Sequence, residues 1–219
     1  MPERQIVAMG GFPQDPLVDY MLGLAEGRRV LLVPTAGRED ARSTLWWYGY
    51  LAERATLTHL EFFPWPPRDL RELTLDHDVI LVPGGNTANA LAIWRAHGFD
   101  TILREAWERG IVLSGWSAGM ICWFEHGVTD SFGPELEAME CLGFLRGSAC
   151  PHYDGEERRR PVYTRLVSDG LPAGIAADDD IALRYVGTEL QEVVASRSGA
   201  SAYRVRADGE ERIEARLLS

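Results

Sequence analysis

Short apolar runs that stop at glycine or proline and give way to segments of helical period constrain this chain more than any other feature. Gln5–Gly10, Val30–Val33, Val79–Val82 and Ile111–Ser114 read as buried strands. Pro16–Glu26, Thr44–Arg54, Thr87–His97 and Thr101–Arg109 read as helices, and Thr58–Phe63 is a further strand-like run before the chain-breaking Pro64-Trp65-Pro66-Pro67. This β-α alternation specifies an α/β fold, with a largely parallel sheet and helices on both faces. From Gly174 onward the pattern changes to short strands with tight turns: Ile181–Val186, Leu190–Ser196, Ala202–Arg206 and Glu211–Leu217. They read as an antiparallel extension at the C-terminal end of the sheet.

A chain of 219 residues can bury a sizeable core, and no repeat, low-complexity tract or linker divides it, so a single α/β domain over 1–219 is expected. The formal net charge of −11 argues against nucleic acid as a partner, since phosphate binding needs clustered Lys and Arg. Arg158-Arg159-Arg160 is the one dense positive spot, and it reads as a solvated helix start. No apolar run is long enough to span a membrane, and the first residues lack a signal-like apolar region, so a cytoplasmic protein without membrane partners is expected. Cys122, Cys141 and Cys150 include no C-x-x-C pair, which argues against a disulfide framework or zinc site and fits a reducing compartment.

In an open α/β sheet the site lies at the carboxyl ends of the strands, and two candidate loops fall there. The first, Leu81–Leu91 (LVPGGNTANAL), has consecutive glycines that let the backbone approach a ligand and aim an N–H at it. Taken alone, a glycine turn before a helix capped by Asn86 or Thr87 is the stronger reading. The second, Ile111–Phe124 (IVLSGWSAGMICWF), carries G-x-S-x-G at a strand-to-helix junction, the pattern of a nucleophile elbow. Such a turn would expose Ser117 between Gly115 and Gly119 and aim the Ala118 N–H where an oxyanion forms. A small residue at a crowded junction is the rival explanation, and on the motif alone the two stand level.

A serine nucleophile needs a base and an orienting acid. His59, His77 and His97 have adequate local roles, and His126 falls at the end of the expected elbow helix, pointing away from the turn. His152, in SACPHYDGE, would be delivered by a strand to the carboxyl rim and is the best base candidate, against the plain reading of a buried loop histidine. Asp130, in GVTDSFG, is the candidate acid; Glu125, Glu135, Glu137 and Glu140 compete with it, Glu135 foremost, and turn chemistry alone could explain it.

Together, PGGNT (Pro83–Thr87), GWSAG (Gly115–Gly119) and PHYDGE (Pro151–Glu156) resemble the dipeptidase E family of serine peptidases, peptidase family S51. That family is related to cyanophycinase and has a class I glutamine amidotransferase-like fold. The resemblance runs from Val79 to Val186, and the N-terminal β-α pattern agrees with it. It implies Ser117 as nucleophile, His152 as general base, Asp130 as acid, and the Gly85 and Ala118 amides as oxyanion donors. It also implies an acidic residue within GIAADDDIAL (Gly174–Leu183) to hold a substrate's α-amino group: Asp179 is the best match and Asp178 the next. Asn86, in the glycine loop, joins them as a substrate-binding candidate.

The activity so implied is that of a serine exopeptidase or dipeptidase. It would cleave short peptides with a free N-terminus through a Ser117 acyl-enzyme, with no metal or organic cofactor. A preference for Asp-x substrates stays open. The aromatic MICWF segment, Cys150-Pro151 and Asp180 depart from the family pattern, and none of Arg158, Arg159, Arg160 and Arg184 matches firmly as partner for an acidic side chain. A cyanophycinase-like or isoaspartyl-type hydrolase, and a non-catalytic binding protein on the same fold, are the alternatives. The run Trp46-Trp47-Tyr48, with Tyr50, cannot all face the core of one helix. Core packing with incidental exposure is the favoured reading; a homodimer surface or a cover over the site is the other.

Overall fold

The computed structural model describes residues 3–218. In chain order its first half comprises β1 (Gln5–Met9), α1 (Asp15–Gly23), β2 (Arg29–Leu32), a 3-10 turn (Pro34–Gly37), α2 (Ala41–Leu51), β3 (Thr56–His59), α3 (Leu70–Leu75), β4 (Val79–Val82), α4 (Thr87–Ala96), α5 (Phe99–Glu108) and β5 (Val112–Trp116). There follow α6 (Ala118–Ile121), β6 (Phe124–Thr129), β7 (Glu137–Glu140), β8 (Leu145–Cys150), α7 (Arg159–Ser168), β9 (Gly174–Ala177), β10 (Ile181–Val186), β11 (Glu189–Ala195), β12 (Ser201–Arg206), β13 (Gly209–Glu214) and β14 (Arg216–Leu217).

The main sheet has eight strands in the order β14-β11-β10-β1-β5-β4-β2-β3. Its half from β1 to β3 is parallel, as the sequence pattern requires, and β10 and β11 extend it antiparallel from β1. Strands β1, β4 and β5 are buried along their whole length, which is why they carry no polar face. Successive residues send side chains to opposite faces. Val7, Met9, Leu32, Leu81 and Val112 pack with Leu17 and Met21 of α1 and Trp47 and Leu51 of α2. Ile6, Ala8, Leu31, Ile80 and Leu113 pack on the other side with Leu91 and Trp94 of α4 and Phe99 and Leu103 of α5. Helices therefore cover both faces, and two cores sandwich the sheet.

A second sheet, β13-β12-β9-β8-β6-β7, departs from the sequence expectation in two ways. The helix expected after Ser117 ends at Ile121, and the chain turns directly into β6, so His126 lies on a strand rather than at a helix end. Phe124, Leu145, Ala149 and Ile175 from this sheet join the core beneath α4 and α5, and that burial offsets the low strand propensity of Gly127 and Gly147. In addition, Ala202–Arg206 lies in β12, which pairs with β9, and β13 pairs with β12, so both belong to this sheet and not to the main one. Among the described residues, no helix is long and apolar enough to cross a membrane.

Candidate active site

The parallel strands β1, β2, β4 and β5 end on one rim, and the candidate residues gather there. Ser117 directly follows β5 and takes φ 56°, ψ −110°, a conformation L-residues rarely adopt, at a cost of about 1–3 kcal/mol. Tight packing holds it. A Cβ on either Gly115 or Gly119 would overlap Val82 O, so the turn can approach β4 only with glycine at both positions. The side chain is half-buried, and the residue immediately precedes the four-residue helix α6, to whose N-terminus it makes no side-chain cap bond. Strained torsion angles on a glycine-flanked strand-to-helix turn are the geometry that a nucleophile elbow requires.

The end of β1 ties this turn to His152. Ser117 N–H donates to Met9 O at 3.3 Å and His152 N–H to Gly10 O at 3.1 Å, so successive carbonyls hold both backbones. His152 leaves β8 with φ 53°, a second strained residue on the same rim. Its Nδ1 lies 2.7 Å from Asp179 Oδ1. A carboxylate accepts, so Nδ1 carries the proton and Nε2 is left as the basic nitrogen.

The acid on the His152 ring is thus Asp179, and the expectation of Asp130 is corrected on geometry. Strands β8 and β9 are parallel neighbours with Cys150 opposite Ala176, so the turns that leave them carry His152 and Asp179 side by side. Asp130 follows β6, on the other side of β8, and is exposed; its backbone carbonyl accepts from Gly133 N–H. Glu135 is exposed too and pairs with Arg158 at 3.2 Å. The hydrogen bond from His152 holds the Asp179 carboxyl below the usual carboxylate range, against the opposing effect of its partial burial. Gly11 and Gly155 frame that carboxylate so closely that a Cβ on either would overlap it. Asp154 accepts from Asp179 N–H at 2.8 Å, and Arg197 bridges Asp154 at 2.6 Å and Asp180 at 2.9 Å, which anchors the whole turn. Asp180 takes φ 67°, in the left-handed region that favours glycine.

Asp178 and Asn86 have structural partners. Asp178 is buried and accepts from Ser201 N–H at 2.9 Å, and burial pushes its carboxyl up to about 6. Asn86 caps α4, accepting from Asn89 N–H at 2.9 Å, and donates through Nδ2 to Ser131 O at 2.9 Å. Gly84 brings the glycine loop against the elbow: a Cβ there would stand 3.2 Å from Ser117 Cβ. Among the described residues, the N–H groups of Gly85 and Ala118 donate to no backbone acceptor. No group of three or more His, Cys, Asp or Glu suited to a metal ion occurs among those residues.

The family model described as Peptidase family S51 matches residues 9–193. The chain belongs to peptidase family S51. Ser117, His152 and Asp179 all lie inside the matched segment, and membership makes the protein a peptidase. This S51 peptidase is 47% identical over 212 residues to the uncharacterized peptidase YgaJ of Bacillus subtilis (strain 168), with 92% of each chain covered. Its fold is similar to that of a crystallised peptidase from an acI-B1 actinobacterium, with a TM-score of 0.71 at 20% identity over 97% of this chain and 95% of that one. It is also similar to a candidate peptidase E from Listeria monocytogenes EGD-e, with a TM-score of 0.65 at 17% identity over 97% of this chain and 100% of the other.

Proposed function

We propose that this S51 peptidase is a serine exopeptidase acting on short peptides, dipeptides above all, through a Ser117–His152–Asp179 triad. Ser117 Oγ attacks the scissile carbonyl while His152 Nε2 takes its proton, and Asp179 holds the imidazole in the reactive tautomer and stabilises the imidazolium. The negative charge on the carbonyl oxygen falls to the Gly85 and Ala118 amides. Collapse of the tetrahedral intermediate breaks the C–N bond, and the leaving amine takes the proton from His152. Water then attacks the Ser117 ester with His152 again as base, releasing the acid and restoring the hydroxyl.

The observation that carries this reading is the 2.7 Å bond between His152 Nδ1 and Asp179, on the same rim as a serine with elbow torsion angles. Asp179 and Asp178 are engaged by His152 and Ser201, so neither is assigned to a substrate ammonium group. Hydrolysis of Ala-x, Gly-x, Leu-x and Asp-x dipeptides, each free and N-acetylated, tests the exopeptidase assignment. Free dipeptides should be cleaved and blocked ones spared. Equal cleavage of blocked substrates would reject exopeptidase action while leaving the serine mechanism standing.

A further inference from the structure

A cleft of about 330 Å³ opens on the same rim beside Ser117. Its walls are Phe12, Trp46, Trp47 and Trp116, and Gly84, which lies against Ser117, forms part of its floor. The four rings make one mutually packed cluster. Phe12 meets Trp46, Trp47 and Trp116 at centroid distances of 5.6, 5.8 and 5.4 Å, and Trp47 meets Trp116 at 5.2 Å. Trp47 and Trp116 are buried, whereas Phe12 and Trp46 leave 44% and 47% of their surface in water. Large aromatic surface left open at a rim, backed by rings already fixed in place, marks a site that removes an apolar group from water. Among the described residues, Asp40 is the one charged residue lining the cleft, and no basic side chain lines it.

We infer that this cleft is the specificity subsite and takes a large apolar or aromatic side chain on the residue next to the scissile bond. The inference rests on the peptidase reading of Ser117 and adds the substrate class to it. The lining residues come from strand ends of the parallel sheet and the helix beside it: Phe12 after β1, Trp46 and Trp47 midway along α2 after β2, Gly84 after β4, and Trp116 at the end of β5. The cleft therefore shares the nucleophile's rim by topology. An acidic side chain would lose water with no cation to receive it and would face Asp40, so an Asp-x substrate is disfavoured here.

The test compares kcat/KM for Phe-Ala, Leu-Ala, Gly-Ala and Asp-Ala in the wild type, Trp46→Ala and Gly37→Val. Trp46 is half exposed, and a Cβ on Gly37 meets only Gly84 O, at 3.6 Å, so both variants should fold. The expected result is Phe-Ala and Leu-Ala ahead of Gly-Ala by about 10- to 100-fold, with Asp-Ala behind all three. Trp46→Ala, which removes a wall, and Gly37→Val, which narrows the cleft, should each cost Phe-Ala about tenfold and change Gly-Ala by less than about twofold. Asp-Ala cleaved as well as Phe-Ala, or variants that depress every substrate equally, would overturn the subsite while Ser117 chemistry stood. Should no dipeptide be cleaved at all, the dipeptidase reading of Ser117 is what fails. Titration of Ser117→Ala with Phe-Ala and Asp-Ala, followed by tryptophan fluorescence, then decides the cleft separately. Tighter binding of Phe-Ala that Trp46→Ala weakens supports it, and equal binding or none rejects it.

Discussion

Asp179→Asn keeps the shape of the side chain but removes the charge that faces His152 and can present an N–H₂ group to Nδ1. Two opposite charges about 4 Å apart at an effective dielectric of 20 attract by about 4 kcal/mol. The His152 ring is 20% exposed and Asp179 40%, so water screens part of that attraction and about 3 kcal/mol remains for the imidazolium formed during catalysis. The loss applies only once His152 is protonated, so it falls on the transition state. It corresponds to a drop in kcat/KM of between about a hundredfold and a thousandfold. Initial rates on a cleavable dipeptide, run alongside Asp130→Asn, provide the assay. Asp130 touches no part of the ring, and its variant should stay within about twofold of the wild type. Retention of a tenth or more of the activity by Asp179→Asn, or collapse in Asp130→Asn, would refute the assignment of the acid.

Asp178 should make stability depend on pH in the sense opposite to a salt-bridged carboxylate. Its carboxyl lies at about 6 in the folded chain against 3.8 ordinarily, so the wild type is free of the penalty below about pH 4 and loses about 3 kcal/mol as pH rises through 6. Asp178→Asn still offers Ser201 an acceptor, and denaturant melts should show it more stable than wild type at pH 8 and equal at pH 4; parallel curves would reject the shift. Gly155→Ala places a Cβ on the Asp179 carboxylate and should cut kcat nearly as far as Asp179→Asn with little change in Tm, whereas Gly133→Ala, which meets nothing within 4 Å, should be silent. Asn86→Ala removes the cap of α4 and should cost about 1 kcal/mol in urea unfolding; an unchanged midpoint would mean the cap contributes nothing.

The parallel half of the main sheet was readable because β1, β4 and β5 are buried on both faces and must be apolar throughout. The elbow was readable for a related reason: two close approaches to Val82 demand glycine at 115 and 119, and that leaves a local motif. The second sheet had no such signature. Phe124–Thr129 and Leu145–Cys150 mix glycine and charge with apolar residues, and pairing with distant strands makes them strands. Asp179 escaped recognition as the acid for the same cause. Closeness along the chain favoured Asp130, yet the parallel pairing of β8 and β9 decides which carboxylate meets His152. The three consecutive aspartates look equivalent in sequence, but Asp178 faces Ser201, Asp179 faces His152 and Asp180 faces Arg197. The aromatic run divided similarly: Trp47 went to the core as favoured, while Trp46 remained half exposed beside the elbow.

A fluorophosphonate probe, followed by peptide mapping, tests whether Ser117 is an activated nucleophile, because it reports such a serine without needing the right substrate. One adduct is expected, on Ser117, absent in Ser117→Ala and formed about a hundredfold more slowly in His152→Ala. No adduct on the folded wild type, an adduct on another serine such as Ser131, or labelling of Ser117 at an undiminished rate without His152 would contradict it.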